Sequence, residues 1–444
     1  MNASGAPSSE SLERDASQIN ARHGKIDASE IAVGVIIGRT SEFFDFFVYA
    51  IASVVVFPQL IFPYAGPLGG TLLSFAVFAL AFIARPIGSS LFIAIDRKFG
   101  RGTKLTIALM LLGLSTVCFG FLPSYQSAGY WSAVMLMVLR VAQGIALGGT
   151  WDGMPSLLAV SAPENKKGWY AMVPQLGAPL GLIVASALFA YFISKLTPQD
   201  FFAWGWRYPF FVAFAINVVA LFARLRIVVS PTFQSAFHGS ELKPSPIGQT
   251  LKEESPRILI GTFAPLATFA MVHMVTVYPL SWVFLYTEDS VARFLVLQLI
   301  AAAIGVASVV ASGVLADRFG RRKLLGATSV GIGIFAVAAL PLLDGGPMGE
   351  MAYLVIGYIL LGLAFGQASG VIASSFKPRN RYTASALTSD LAWLFGAGFA
   401  PLAALWISAQ FGLWAGGAYL LSGTIVTLLV LRWNRSLAAR SSLS

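Results

Sequence analysis

Long apolar runs separated by short polar segments occupy most of the chain. A membrane helix needs about 20 predominantly apolar residues to cross ~30 Å of hydrocarbon. All such spans should be helices, because lipid cannot satisfy an open backbone and the runs lack the alternation typical of a β-barrel. The pattern predicts twelve of them, near residues 31–60, 68–95, 105–122, 131–160, 168–193, 208–229, 258–285, 294–316, 324–342, 351–373, 383–408 and 412–432.

The polar stretches divide the chain into regions. Residues 1–29 lack a periodic apolar face and are predicted to be a disordered cytoplasmic tail. The longest internal polar stretch, 230–256, separates six spans from six and is interpreted as a cytoplasmic linker. We therefore expect an N-terminal six-helix bundle at 30–229, a C-terminal six-helix bundle at 257–433 and a second cytoplasmic tail at 434–444.

Composition excludes the main soluble classes. Hydrophobic residues make up 57% of the 444 residues and charged residues 11%, against roughly 25% charged in an ordinary globular domain. Cys118 is the single cysteine, so a disulfide scaffold is excluded. The net charge of +10 would suit a nucleic-acid binder, but the basic residues sit in short loops between the spans. Membrane lipid and a small-molecule substrate are the expected partners, and nucleic acid is not.

Basic residues also predict the orientation. Of the 30 Lys and Arg residues, 24 fall in the two tails and the even-numbered loops, and three fall in the odd-numbered loops. Cytoplasmic loops carry the excess of Lys and Arg in membrane proteins. Both termini are therefore predicted to be cytoplasmic, in a multi-pass protein of a bacterial inner membrane.

A short basic turn occurs twice, at matching places in the two halves. The sequence DRKFGR at residues 96–101 follows span 2, and DRFGRR at residues 317–322 follows span 8. Internal repeats of this kind are typical of secondary transporters, whose substrate site lies near the midplane between the repeats.

Several segments resemble a known family. GVLADRFGRRK at 313–323 resembles the signature cytoplasmic loop of the major facilitator superfamily. Further segments resemble its metabolite–proton symporter branch, which includes carriers of dicarboxylates, tricarboxylates, shikimate and osmoprotectants. They are EFFDFF at 42–47, ARPIG at 84–88, RVAQGIALGG at 140–149, PQLGAPLG at 174–181, GWRYPF at 205–210 and RYT at 381–383.

The resemblance covers about residues 31–433 and implies an all-α membrane protein with twelve transmembrane helices in two six-helix bundles, the major facilitator fold. It also implies a gating loop formed by Asp317, Arg318, Gly320, Arg321 and Arg322. Three positions differ from the pattern of the branch. Thr150 and Val229 replace expected acids, and Asp96 lies one residue out of register with the signature loop.

Charged side chains inside the predicted spans are candidates for function, because each costs at least about 2.5–3.5 kcal/mol at bilayer depth. Estimated depths, at 1.5 Å per residue, match three pairs. These are Asp45 with Arg140, Glu42 with Arg85, and Arg39 with Asp152. One interpretation is that all three are structural ion pairs.

The other interpretation is a proton switch. A buried carboxylate binds a proton more readily when its guanidinium partner moves away. Asp45 is the hypothetical proton carrier, Arg140 tunes it, and Glu42 shares its helix face at a spacing of three. The family resemblance implies the same pair, because many proton-coupled members of the family carry an acid in span 1 and an Arg in span 4.

Further polar residues at mid-depth are candidates for a substrate cavity. Asp390 and His273 are the titratable residues noted deep in the second half. Each candidate is also consistent with a local structural contact between helices. The predicted cavity set is Arg39, Arg85, Gln143, Asp152, Gln175, His273, Tyr278 and Asp390.

The sequence shows no catalytic constellation, metal-ligand spacing or phosphate-binding loop. We therefore expect no enzyme activity, no metal and no cofactor, with energy drawn from a proton gradient. The predicted function is proton-coupled symport of a small organic acid or related metabolite by alternating access, by a monomer. An efflux carrier or uniporter on the same fold and a non-transporting membrane sensor are the alternatives.

Overall fold

The computed structural model describes residues 28–151, 153, 158, 163–228, 243–368 and 376–433. Regular structure in these ranges is helical throughout. Twelve long helices cross the molecule. They are α1 (Ala28–Val55), α2 (Gly66–Phe99), α3 (Arg101–Phe119), α4 (Trp131–Gly149), α5 (Lys167–Lys195), α6 (Tyr208–Val228), α7 (Leu266–Tyr286), α8 (Val291–Phe319), α9 (Arg321–Ala338), α10 (Gly346–Ala368), α11 (Pro378–Phe411) and α12 (Gly417–Trp433).

Some predicted features fall on residues that lie outside this description. They are Asp152, Val229, residues 1–27 and 434–444 of the predicted tails, and residues 230–242 of the predicted linker.

The fold class predicted from the sequence is confirmed. Within the described ranges, ten helices are long and apolar enough to cross a membrane. The remaining two, α1 with 28 residues and α9 with 18, are also long enough to cross a membrane but carry charges. Arg39, Glu42 and Asp45 lie within α1, and three basic residues open α9. Twelve helices in two sets of six therefore span the membrane.

Glycines allow α2 and α4 to pack closely. A Cβ atom placed on Gly144 would lie 2.4 Å from the backbone oxygen of Ala81, and one on Gly148 would lie 2.3 Å from that of Arg85. Small residues at such contacts are typical of membrane helix pairs, which associate through close packing. This contact fixes Arg85 of α2 against α4, beside the charged residues of the first half.

Local breaks in the helices shape the interior. A 3-10 turn, Val173–Leu176, interrupts α5, and a π-helical turn, Trp393–Gly398, interrupts α11 just before Pro401. Proline cannot donate a backbone hydrogen bond, so such turns are common ahead of it. The turn in α11 directs Trp393 towards the first half, where its ring contacts Phe46 and Phe82.

The described part of the linker forms an amphipathic helix, Ile247–Phe263, which leads directly into α7. We call it the linker helix. It binds the start of α11, because the Ser245 N–H donates to Thr383 and Glu253 pairs with Arg379. Hydrogen bonding to Arg379 and Gln249 lowers the pKa of the Glu253 carboxyl to about 2. The linker helix therefore packs as part of the second half.

Candidate functional site

A cavity lies between the two halves. Its volume is about 30 Å³, room for about two water molecules. Arg39, Glu42 and Arg85 give it a charged wall from the first half, and Trp393 closes it from the second half. Among the predicted cavity residues, Arg39 and Arg85 line it.

Glu42 is held by two guanidinium groups of its own half. Its carboxylate lies 2.6 Å from Arg39 and 2.5 Å from Arg224. The predicted pairing of Glu42 with Arg85 is therefore wrong. The predicted partner of Arg39, Asp152, lies outside the described residues. Arg224, which falls within predicted span 6, is 2% exposed and belongs to this cluster.

Arg85 instead forms an ion pair with the second half. Its Nε lies 2.7 Å from Oδ1 of Asp390, which is almost fully buried. The hydroxyl of Ser89 donates to the other carboxylate oxygen of Asp390. The pair therefore joins α2 to α11 across the interface between the halves.

Asp45 and Arg140 are both buried but do not form the direct ion pair that matched depth predicted. Gln143 lies between them. Nη1 of Arg140 donates to Oε1 of Gln143 at 2.5 Å, and Nε2 of Gln143 donates to Oδ2 of Asp45 at 3.3 Å. Thr116 also donates to Oδ2 of Asp45, at 2.8 Å. The three side chains form a connected chain, which we call the Arg140–Gln143–Asp45 relay.

Aromatic rings enclose the guanidinium of Arg140. Its central carbon lies 3.9 Å from the ring centre of Tyr49 and 4.8 Å from that of Phe78. The backbone oxygen of Phe78 accepts from both Nε and Nη2 of Arg140. Cation–π contacts of this kind are strongest when desolvated, so Arg140 is stabilised as a cation without an adjacent carboxylate.

His273 connects this cluster to the second half. Its ring stacks on Phe46 with centres 5.3 Å apart and meets the edges of Phe78 and Phe82. Its Nδ1 lies 3.4 Å from the hydroxyl of Thr276, and its Nε2 is buried without a hydrogen bond from the described residues. His273 therefore reaches from α7 into the aromatic interface beside Arg140.

Gln143, His273 and Asp390, described above, do not line the cavity, and two further predicted cavity residues also lie elsewhere. The hydroxyl of Tyr278 lies 2.7 Å from that of Ser408, so Tyr278 makes a contact between helices of the second half. Gln175 is buried in the 3-10 turn of α5 and does not line the cavity described above. Thr150, where the branch pattern has an acid, does line it.

The predicted gating loop contacts the opposite half. Asp317 accepts hydrogen bonds from the backbone N–H groups of Gly168 at 2.5 Å and Trp169 at 3.0 Å, at the start of α5. Arg321 donates to the backbone oxygen of Lys167. Arg322 donates within its own half, and Arg318 lies over the ring of Phe319. Gly320 adopts a φ of 88°, which ends α8.

The matching loop of the first half uses a side chain of α11. Asp96 lies 3.5 Å from Arg101 and 3.6 Å from Lys104. The hydroxyl of Tyr382 accepts from Lys104 at 2.7 Å. Its proton faces two acceptors, the backbone oxygen of Trp151 at 2.9 Å and the carboxylate of Asp96 at 3.1 Å. Lys104, counted with the loops in the sequence, is 1% exposed. We call Asp96, Lys104 and Tyr382 the tyrosine latch.

Twelve membrane helices in two bundles, with charges buried between them, define a multi-pass membrane transporter. The sequence model of the Major Facilitator Superfamily matches residues 40–401. The chain therefore belongs to the major facilitator superfamily, as its resemblance implied.

Curated relatives extend along nearly the whole chain. The inner membrane metabolite transport protein YhjE of Escherichia coli is 35% identical over 425 residues, covering 94% of this chain and 95% of the relative. The shikimate transporter of Escherichia coli is 28% identical, covering 90% and 93%. The proline/betaine transporter of Escherichia coli is also 28% identical, covering 84% and 76%.

Solved structures show the same fold. A crystal structure of a D-xylose–proton symporter has a TM-score of 0.68 at 17% identity, covering 90% of this chain and 96% of that one. Together with the family membership, the fold identifies the chain as a transporter of metabolites, and its substrate as a small molecule.

Proposed function

We propose that the chain is a proton-coupled symporter that imports a small organic acid by alternating access. Asp45 carries the proton. Movement of the bundle changes the proton affinity of Asp45 through the Arg140–Gln143–Asp45 relay. The proposed location is a bacterial inner membrane, as the name of the relative YhjE suggests, and the basic loops favour cytoplasmic termini.

The geometry of Asp45 is the observation that supports this proposal most directly. The side chain is 1% exposed, and its Oδ1 is buried without a hydrogen bond from the described residues. Its hydrogen bonds come from two neutral groups, Thr116 and Gln143. Asp45 can therefore gain or lose a proton without breaking an ion pair, unlike Glu42, which is clamped by two guanidinium groups.

Charge around the cavity favours an anion. Arg39 and Arg85 line the cavity with guanidinium groups. Such a basic wall attracts a negatively charged ligand. Relatives named for shikimate, proline and betaine transport supply the first compounds to screen.

The test is uptake into proteoliposomes under an imposed proton gradient, with radiolabelled shikimate, proline and glycine betaine as probes. We expect Asp45→Asn to abolish concentrative uptake of the transported probe while exchange across the membrane continues. An amide is close in shape to a carboxyl group but cannot release a proton at this site. The matched control is Asp200→Asn, which makes the same change at an exposed position in the short helix Pro198–Ala203.

Concentrative uptake that survives in Asp45→Asn would show that another group carries the proton. Movement of the probe outwards under the same gradient would favour the efflux alternative. An uptake rate that does not change with the proton gradient would favour a uniporter.

A further inference from the structure

The ion pair between Arg85 and Asp390 fastens the two halves together inside the membrane. The atoms lie 2.7 Å apart, and Ser89 of the first half holds the second oxygen of Asp390. Because α2 and α11 belong to different halves, they cannot separate at this level while the pair persists.

Alternating access requires the halves to move against each other around a midplane site. Breaking a buried ion pair is strongly unfavourable when each charge is left without a partner. The transport cycle therefore needs a group that replaces Asp390 on Arg85. A carboxylate of the substrate has the same charge and the same pair of oxygens, which a guanidinium binds in a fixed geometry.

The cavity described above lies beside Arg85. Arg85 and Arg39 form its basic wall, and aromatic rings form much of the remainder. The rings of Phe82 and Trp393 lie 6.1 Å apart at an angle of 20°. Arg85 itself lies 5.9 Å from the Trp393 ring centre. Basic and aromatic walls side by side suit a carboxylate attached to a flat or compact apolar body.

We propose that a small monocarboxylate with an apolar ring binds in this cavity and takes the place of Asp390 on Arg85, which releases the pair between the halves. The proposal rests on the proposed function for its consequence in transport, and it names the substrate class of that function. Arg85 is the binding residue, and Asp390 is the competitor that the ligand displaces.

The experiment is calorimetric titration of benzoate into the full chain in lipid nanodiscs, without any ion gradient. Asp390→Asn removes the competing negative charge, and we expect it to bind benzoate at least about fivefold more tightly, the lower end of ordinary coupling between linked equilibria. Arg85→Gln should lose benzoate binding. Neutral benzamide and cationic benzyltrimethylammonium should bind neither the original chain nor Asp390→Asn.

Glu350→Gln is the matched control. Glu350 is also a buried acid in an ion pair, 2.8 Å from Arg293, but it lies within the second half and away from the cavity. Its benzoate affinity should equal that of the original chain. Arg85→Lys keeps the charge but loses the planar fork, so it should bind benzoate more weakly than the original chain. If Arg85→Gln does not fold, this variant alone tests whether Arg85 binds the carboxylate.

Three results would overturn the proposal: unchanged or weaker benzoate affinity in Asp390→Asn, full affinity in both Arg85 variants, or binding of benzyltrimethylammonium in place of benzoate. Absence of benzoate binding in both the original chain and Asp390→Asn would overturn it as well. Equilibrium binding needs no gradient, so these results are independent of the Asp45→Asn uptake test.

Discussion

The buried acids of the first half differ in what surrounds them. Glu42 has two guanidinium partners, whereas Asp45 has hydrogen bonds from Thr116 and Gln143 and a second oxygen without a bond from the described residues. A charge with two ionic partners is suited to a structural role. A carboxyl group with neutral partners is suited to exchange of a proton.

Gln143 is the residue that joins Asp45, the proposed proton site, to Arg140, and its replacement tests the relay. We expect Gln143→Leu to lower proton-driven uptake about tenfold while exchange continues, because the loss of an amide leaves Arg140 and Asp45 each short of a buried hydrogen bond. Initial rates of uptake and exchange in proteoliposomes measure the two effects. Gln298→Leu, a buried glutamine that bonds the backbone of Thr276, is the control. Equal loss of uptake and exchange would contradict the relay.

The sequence indicated which charges are buried but not which of them meet. Arg39, Glu42 and Arg85 stand out because they interrupt apolar runs. Depth along a helix follows from 1.5 Å per residue, yet partners also depend on how each helix is rotated about its axis. Rotation is set by packing across the bundle. The sequence alone therefore could not predict the pairing of Arg85 with Asp390. Arg224 was missed because it lies near the end of its span.

At the scale of elements, α2 and α4 pack closely through glycines that face the backbone of the partner helix. The π-helical turn in α11 and the linker helix were not predicted. Their formation depends on contacts with other elements, such as Glu253 with Arg379.

Gly144→Ala tests the α2–α4 contact. The added methyl group would lie 2.4 Å from the backbone oxygen of Ala81, so the helices must move apart, at about 1–3 kcal/mol. Gly326→Ala is the matched control, because nothing lies within 4 Å of the position and alanine favours a helix. Thermal unfolding in detergent should show a lower midpoint for Gly144→Ala alone. A midpoint equal to that of the control would mean that the contact is looser than described.

For the whole molecule, the two loops of the repeat hold the halves together by different chemistry. Asp317 binds backbone N–H groups, whereas Asp96 binds the Tyr382 side chain. The repeated DR-containing turn predicted both loops. The shift of Asp96 by one residue turns its carboxylate about 100° around the helix, which accounts for the different partner. One connection between the halves therefore depends on a single hydroxyl.

Removal of that hydroxyl should loosen the predicted cytoplasmic side. Tyr382→Phe keeps the ring but loses the bonds to Lys104 and Asp96, so the population open to the cytoplasm should rise. The measurement is maleimide labelling of Thr150→Cys, a position on the cavity wall, after replacement of the native cysteine by Cys118→Ser. We expect the labelling rate to rise about fivefold, within the usual range of coupling between sites.

A second tyrosine provides the control. It shows whether the labelling rate rises on loss of any tyrosine hydroxyl or only on loss of one that connects the halves. Tyr419 donates to the backbone oxygen of Phe395 at 2.8 Å, and both residues belong to the second half. Tyr419→Phe should therefore leave the labelling rate unchanged. If both variants raise the rate equally, general loosening explains the effect. If neither does, other contacts between the halves keep the predicted cytoplasmic side closed, and the tyrosine latch has no part in gating.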